Sequence, residues 1–285
     1  MRPPLLDRGT DSLRSDDLVP AQGQYVVKAW LTAGEATIIF QPAGLTRRGG
    51  SSEEGLRTDP SELVSRSVRR SAHNLKRYAA HNKLVEMMTL TYEAEPSLDE
   101  VSPHLEHFWR RWCRATGRQI PPYVIVPEWG PTKGRLHLHA GINWWAELGA
   151  VEVCDCCARP ALRSKRTIPP AGCLCVGCLW GHGFVGAPER YDAEPWQLAA
   201  YLTKYLAKDM DRQPFGRQRY RVAKGFQPRP TVLRYRSADG ARRGMLMAFG
   251  GELPSYTWSS ENAQYRDGEP VRKPDYFCEC YSWAG

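Results

Sequence analysis

Hydrophobic positions along the chain alternate between helical and strand-like spacing in a well-punctuated order. Residues 62–82 place Leu63, Val64, Val68 and Leu75 on a basic helix, with Ser61 standing where a capping hydroxyl belongs. Val85-Glu-Met-Met-Thr-Leu-Thr-Tyr92 then reads as a strand, closed by Glu93-Ala-Glu-Pro96. Over 98–116 the residues Leu98, Val101, Leu105, Phe108, Trp109 and Trp112 return to helical spacing, and Gly117 ends it. Tyr123–Trp129 and Arg135–Ile142 are two strands, and the short link Gly130-Pro-Thr-Lys-Gly134 between them predicts an antiparallel hairpin. A short strand over 183–185 and a helix over 195–209 complete this stretch. Upstream, residues 25–40 predict one or two short strands, 1–24 a loose polar arm and 45–60 a linker. Residues 210–285 are basic, aromatic and β-leaning. The order predicts an α+β fold: a central antiparallel sheet with helices on one face. Three stretches are expected: 1–60 a flexible arm, 61–210 the core with an insertion at 150–182, and 211–285 a basic C-terminal region.

Composition changes this picture little, but charge changes it a good deal. The 285 residues are 42% apolar and 25% charged, as in ordinary globular chains. No apolar run approaches the ~18 residues of a membrane span, and the amino end lacks a secretory segment. A soluble cytoplasmic protein without membrane partners is expected. The net charge of +8 is localised. Residues 212–243 carry ten Lys/Arg against Asp239 alone, and 61–83 carry six against Glu62, so the remainder is mildly acidic. Phe215, Tyr220, Phe226 and Tyr235 interleave with the larger patch, and positive charge with stacking rings suits an unpaired nucleic-acid strand.

Candidate chemistry centres on His137-Leu-His139. In a strand these imidazoles share one face and can converge on one cation, while Leu136, Leu138 and Ala140 take the other. Glu128, near the end of the partner strand, falls opposite 136–137, and one residue of register decides which face it uses. Two imidazoles and a carboxylate would make a mixed nitrogen and oxygen site for a Mn- or Mg-type Lewis acid. On the helix 195–209, Tyr201, Lys204, Tyr205 and Lys208 form one continuous stripe, beside an anchoring stripe of Leu198, Leu202 and Leu206. A tyrosine hydroxyl near pKa 10 needs a nearby cation and a polarised electrophile before it can act as a nucleophile. A lysine one turn away and a bound metal would supply both.

His137-Leu-His139 followed by Tyr201-Leu-Thr-Lys-Tyr205-Leu-Ala-Lys208 resembles the HUH endonuclease superfamily, in particular rolling-circle replication initiators of the two-tyrosine class. Met87-Met-Thr-Leu-Thr-Tyr92 and Trp180-Gly-His-Gly-Phe184 resemble two further segments of that family, in family order. The resemblance implies an RRM-like palm and a metal-dependent nickase acting on single-stranded DNA or a hairpin at an origin. Tyr201 or Tyr205 would form a 5′-phosphotyrosine and free a 3′-OH, with Lys204 and Lys208 assisting. His137 and His139 would be ligands and Glu128 the third. Tyr201 is expected to make the first cut. No phosphate-binding loop of the Gly-x-x-x-x-Gly-Lys-Ser/Thr kind occurs, so a separate host helicase is expected as partner.

Six of the nine cysteines lie between 154 and 178, interrupting the core. Cys154-x-x-Cys157 and Cys175-x-x-Cys178, 17 residues apart, have the spacing of a structural zinc site, with Cys156 and Cys173 as spare candidates and an Fe–S cluster as the lesser alternative. Cys113, Cys278 and Cys280 are expected to be structural. Two other readings remain open: a two-tyrosine single-strand transposase, and a non-catalytic zinc-ribbon DNA-binding regulator.

Overall fold

The computed structural model describes residues 23–43, 60–130, 134–150, 174–190, 194–208, 219–260, 265–266, 269–270 and 278–283. The chain divides into two compact units, one formed by residues 59–227 and the other by 1–58 together with 228–285. Both carry antiparallel sheets, and the architecture is α+β. Among the described residues no helix is long and apolar enough to cross a membrane.

In the unit formed by both chain ends, strands β1 (Gln24–Trp30) and β2 (Glu35–Gln41) pair as a hairpin. They are not attached to a loose arm. They lie in the middle of a sheet whose further strands come from near the other end of the sequence: β8 (Thr231–Tyr235), β9 (Tyr256–Ser259) and β12 (Cys278–Ser282), in the order β8-β1-β2-β12-β9. A small ladder joins β10 (Tyr265–Arg266) and β11 (Glu269–Pro270). One helix, Ala238–Ala248, covers a face of the larger sheet through Ala241 and Met245, which pack on Val27, Ala29, Ala36, Ile38 and Tyr235. The expectation of a β-leaning 210–285 did not include this helix. Gly240 and Gly244 weaken its local signal, yet a Cβ at Gly244 would lie 1.8 Å from the Tyr235 hydroxyl, so close packing requires glycine there.

Residues 59–227 hold the second sheet. Its helices in chain order are α1 (Pro60–His81), α2 (Leu98–Thr116), α3 (Trp145–Leu148), α4 (Val176–Trp180) and α5 (Pro195–Lys208), which makes the helix 238–248 α6. Its strands are β3 (Glu86–Thr91), β4 (Val124–Trp129), β5 (Leu136–Ile142), β6 (Val185–Arg190) and β7 (Arg221–Val222), in the order β6-β3-β5-β4-β7. α1 starts at Pro60, a residue suited to the first helical position, so Ser61 lies inside the helix and not at its cap. The short strand expected at 183–185 instead runs from Val185 to Arg190.

Helices cover both faces of this sheet, which corrects the one-face expectation. On one face Val101, Leu105, Phe108, Trp109 and Trp112 of α2 bury against Leu90, Ile125, Leu136, Leu138 and Ala140. On the other, Leu75, Tyr78 and Ala79 of α1 and Leu198, Leu202 and Leu206 of α5 bury against Met87, Val124 and Val126. The physical cause is legible in β4. All six of its residues are buried, and a strand without a polar face needs cover on both sides. The second face also has a seat for α5: a Cβ at Gly141 would meet Val124 Cγ1 at 2.8 Å, Leu202 at 3.2 Å and Leu198 at 3.3 Å.

Candidate active site

Glu128 pairs directly with His137 across β4 and β5. Opposed residues in an antiparallel ladder point the same way, so the carboxylate shares a face with both His137 and His139. Glu128 and His139 are buried and His137 is half-buried. Glu128 Oε2 lies 2.7 Å from His139 Nε2, and its Oε1 accepts from the Lys208 ammonium at the end of α5. Burial pushes the Glu128 carboxyl up, but the hydrogen bonds from Lys208 and His139 outweigh it and leave the group below the ordinary carboxylate range. Burial also lowers His139, more than the facing carboxylate raises it. An ionised carboxylate therefore faces a neutral imidazole, and those are the protonation states in which both can bind a cation.

Thr89 completes this arrangement from β3, where it pairs with His139, its Oγ1 3.2 Å from His139 Nδ1. With Nε2–H donating to Glu128, Nδ1 accepts from the threonine hydroxyl, a proton placement that follows from the network. In the sequence Thr89 stands out only as part of a motif. Its role was missed because nothing in the spacing of 89 and 139 pairs them; the same-face periodicity of two strands does so once they are neighbours.

α5 brings the nucleophile candidates to the same place. The Tyr205 ring stacks on His139 with centroids 4.3 Å apart and planes at 12°. The Tyr205 hydroxyl donates to the Tyr201 oxygen at 2.6 Å. Lys204 Nζ sits 5.3 Å from the centre of the Tyr201 ring, within the range of a cation–π contact. Tyr201, Lys204, Tyr205 and Lys208 thus stay one stripe, while the buried Leu198, Leu202 and Leu206 hold the helix to the sheet.

Two imidazoles and a carboxylate on one face are a donor set suited to a hard or borderline divalent ion. Glu128 and His139 already touch, and His137 is the third donor across the ladder. Among the described residues, no three His, Cys, Asp or Glu side chains form a closed ligand group as they stand.

Of the clustered cysteines, Cys154, Cys156, Cys157 and Cys173 lie outside the described residues. Cys175 is buried at the start of α4, and its Sγ accepts from the Cys178 backbone N–H at 3.4 Å. The basic segment 212–243 is partly committed elsewhere. Arg221 pairs with Glu106 at 3.3 Å, and Arg242 pairs with Asp239 at 2.9 Å and with the buried Glu279 at 2.5 Å. Arg212 and Arg217 lie outside the described residues.

Comparison with known proteins adds one finding. No curated protein and no solved structure matches the chain significantly. Residues 85–210, under half of the chain but spanning Thr89, Glu128, both histidines and the whole tyrosine stripe, match the replication-associated protein ORF2 family, and this match supports a role as a replication initiator.

Proposed function

We propose that this chain is a rolling-circle replication initiator that nicks and rejoins single-stranded DNA through a phosphotyrosine. One observation carries the reading: two tyrosine hydroxyls 2.6 Å apart lie on a helix whose Tyr205 ring stacks on His139, itself bonded to Glu128. A structural pair of tyrosines has no need of such a neighbour. His137, His139 and Glu128 would hold a Mn or Mg ion, which would supply Lewis-acid polarisation of the scissile phosphate. The residues of the chain do the rest. Tyr205 donates to the Tyr201 oxygen and so favours developing phenolate charge there, which makes Tyr201 the first nucleophile. Its oxygen attacks phosphorus, the bond to the 3′-oxygen breaks, and that oxygen takes up a proton as the phenolic proton is released to water. Lys204 and Lys208 place positive charge beside the spreading phosphate charge. Tyr205, adjacent on the same face, then attacks the regenerated junction.

The cysteine segment would hold one structural zinc through Cys154, Cys157, Cys175 and Cys178. The N–H bond to Cys175 Sγ is an arrangement that favours a thiolate ligand. Duplex opening would be left to a separate helicase.

Single-stranded origin DNA incubated with manganese should yield a covalent protein–DNA adduct on denaturing gels. Tyr201→Phe should lose the first cut, and the Tyr201→Phe/Tyr205→Phe pair should lose all adduct. An undiminished adduct from the double variant would place the nucleophile elsewhere.

A further inference from the structure

Phe184 is 64% exposed, yet its backbone is held tightly. The Thr91 N–H donates to its carbonyl at 2.9 Å. The Thr91 hydroxyl donates to the same carbonyl at 3.0 Å and accepts from the Phe184 N–H at 3.1 Å. On the amino-terminal side, a Cβ at Gly183 would lie 2.3 Å from the Thr91 carbonyl oxygen and 2.8 Å from the Glu93 nitrogen, so this close approach admits only glycine. The fully buried Trp180 donates its indole N–H to the Thr91 carbonyl at 2.7 Å. Residues 180–184 are therefore a rigid clip on the end of β3, and the clip displays a phenyl ring.

The ring's direction follows from pairing. Val185 pairs with Leu90 and packs on the α2 side. Phe184, one residue earlier, turns to the opposite face by strand alternation. Thr91 pairs with His137, and His137 with Glu128. One row across the sheet thus reads Phe184, Thr91, His137, Glu128. At 4.7–4.9 Å between neighbouring strands, Phe184 stands about 10 Å from the His137 position. A single exposed apolar side chain is ordinary on a protein surface. A flat ring fixed on a pinned backbone, in line with a candidate phosphate-transfer site, is what an unpaired base stacks on.

We propose that Phe184 is a stacking platform for a base of the single strand flanking the phosphate that the tyrosine attacks. The proposal rests on the nickase reading for its substrate, and its test is a binding measurement that needs no cleavage. The probe is a dT homopolymer strand, titrated by fluorescence anisotropy against the full chain carrying Tyr201→Phe and Tyr205→Phe. In that background Phe184→Ala should weaken binding about tenfold, in the lower half of what one base–aromatic stack is worth. The loss should be the same at every salt concentration, because no phosphate contact is removed. Phe184→Trp should restore binding, and Phe184→Leu, which keeps apolar area without the flat ring, should not. An exposed ring carries little of the fold, so the thermal midpoint of Phe184→Ala should stay that of the parent. With 5-iododeoxyuridine in the strand, irradiation should crosslink the base to Phe184. Unchanged affinity of Phe184→Ala, or a loss that alters the salt slope, overturns the platform whether or not the wild-type chain cuts DNA. Tight, Phe184-dependent binding by a wild-type chain that forms no adduct leaves the platform standing and sinks the nickase.

Discussion

His139 is held on three sides: Glu128 takes one ring nitrogen, Thr89 the other, and Tyr205 covers its face. A hydroxyl on the far nitrogen of a ligating imidazole fixes ring orientation, and losing such a partner typically reduces metal affinity or activity 10–100-fold. Thr89→Val should therefore raise the manganese concentration needed for half-maximal nicking by roughly that factor, while Thr89→Ser should stay near wild type. Equal manganese dependence in all three proteins would remove Thr89 from this role. The cysteines are less informative one by one. Cys175 and Cys178 lie within one short helical segment, whereas Cys278 and Cys280 alternate along β12 in the other unit.

At the scale of elements, the position of α5 relative to the sheet decides whether the tyrosines meet His139. That distance is set where Leu198 and Leu202 pass over Gly141. Gly141→Ala would force the added methyl into Val124 or lift the helix. Overpacking of this kind costs about 1–3 kcal/mol, so the urea midpoint should fall and single-turnover nicking should slow with it. A Gly141→Ala protein with native stability and rate would show that α5 tolerates displacement. The clip beside β3 makes a second prediction. His182 stacks on His104 of α2 with centroids 3.8 Å apart, near Tyr92 and Trp180. Burial, then the neighbouring His104 and Arg111, push His182 down to about 4. In the unfolded chain the ring titrates near its ordinary value of about 6.5 and there takes up a proton that the folded chain refuses. Its contribution is thus fully present above pH ~6.5 and is lost as pH falls toward ~4, by on the order of 1–2 kcal/mol once solvent screening of a half-buried ring is allowed for. His182→Phe should flatten that part of the stability profile measured by urea unfolding at several pH values. A profile identical to wild type would assign the acid sensitivity to other groups.

For the whole molecule, the two units use opposite chain logic. Residues 59–227 are continuous and contain the entire candidate site, whereas the other unit is assembled from both ends of the sequence. In that second unit Arg242 reaches across from α6 to the buried Glu279 of β12, and the carboxylate holds the guanidinium protonated above its ordinary range. Removing one partner of such a pair leaves a buried charge, so Arg242 belongs to the fold before it belongs to any DNA surface. The cysteine segment gives the last prediction. Purified protein should contain about one zinc per chain, and Cys175→Ser should lower that content and the thermal midpoint together. Stable, zinc-free wild-type protein would count decisively against the metal.

The local order of the core was legible in the chain because periodicity and punctuation agree there. α2 runs over the predicted 98–116, β4 and β5 form the predicted hairpin, and the Leu198, Leu202 and Leu206 stripe is buried as its spacing requires. The stripe of Tyr201, Lys204, Tyr205 and Lys208 was equally legible, since helical geometry alone puts those residues together. Partners brought together by strand pairing were not. Whether Glu128 faces His139 depended on one residue of register, and Thr89 and the clip of 180–184 join the site only through hydrogen bonds between strands far apart in sequence. The helix of residues 238–248 was hidden by its own glycines, whose reason is the Tyr235 ring packed against them. Local sequence determines an element where its residues supply their own spacing and caps. Tertiary structure decides the rest, because pairing register, two-sided burial and the meeting of the chain ends depend on contacts that no short window of sequence contains.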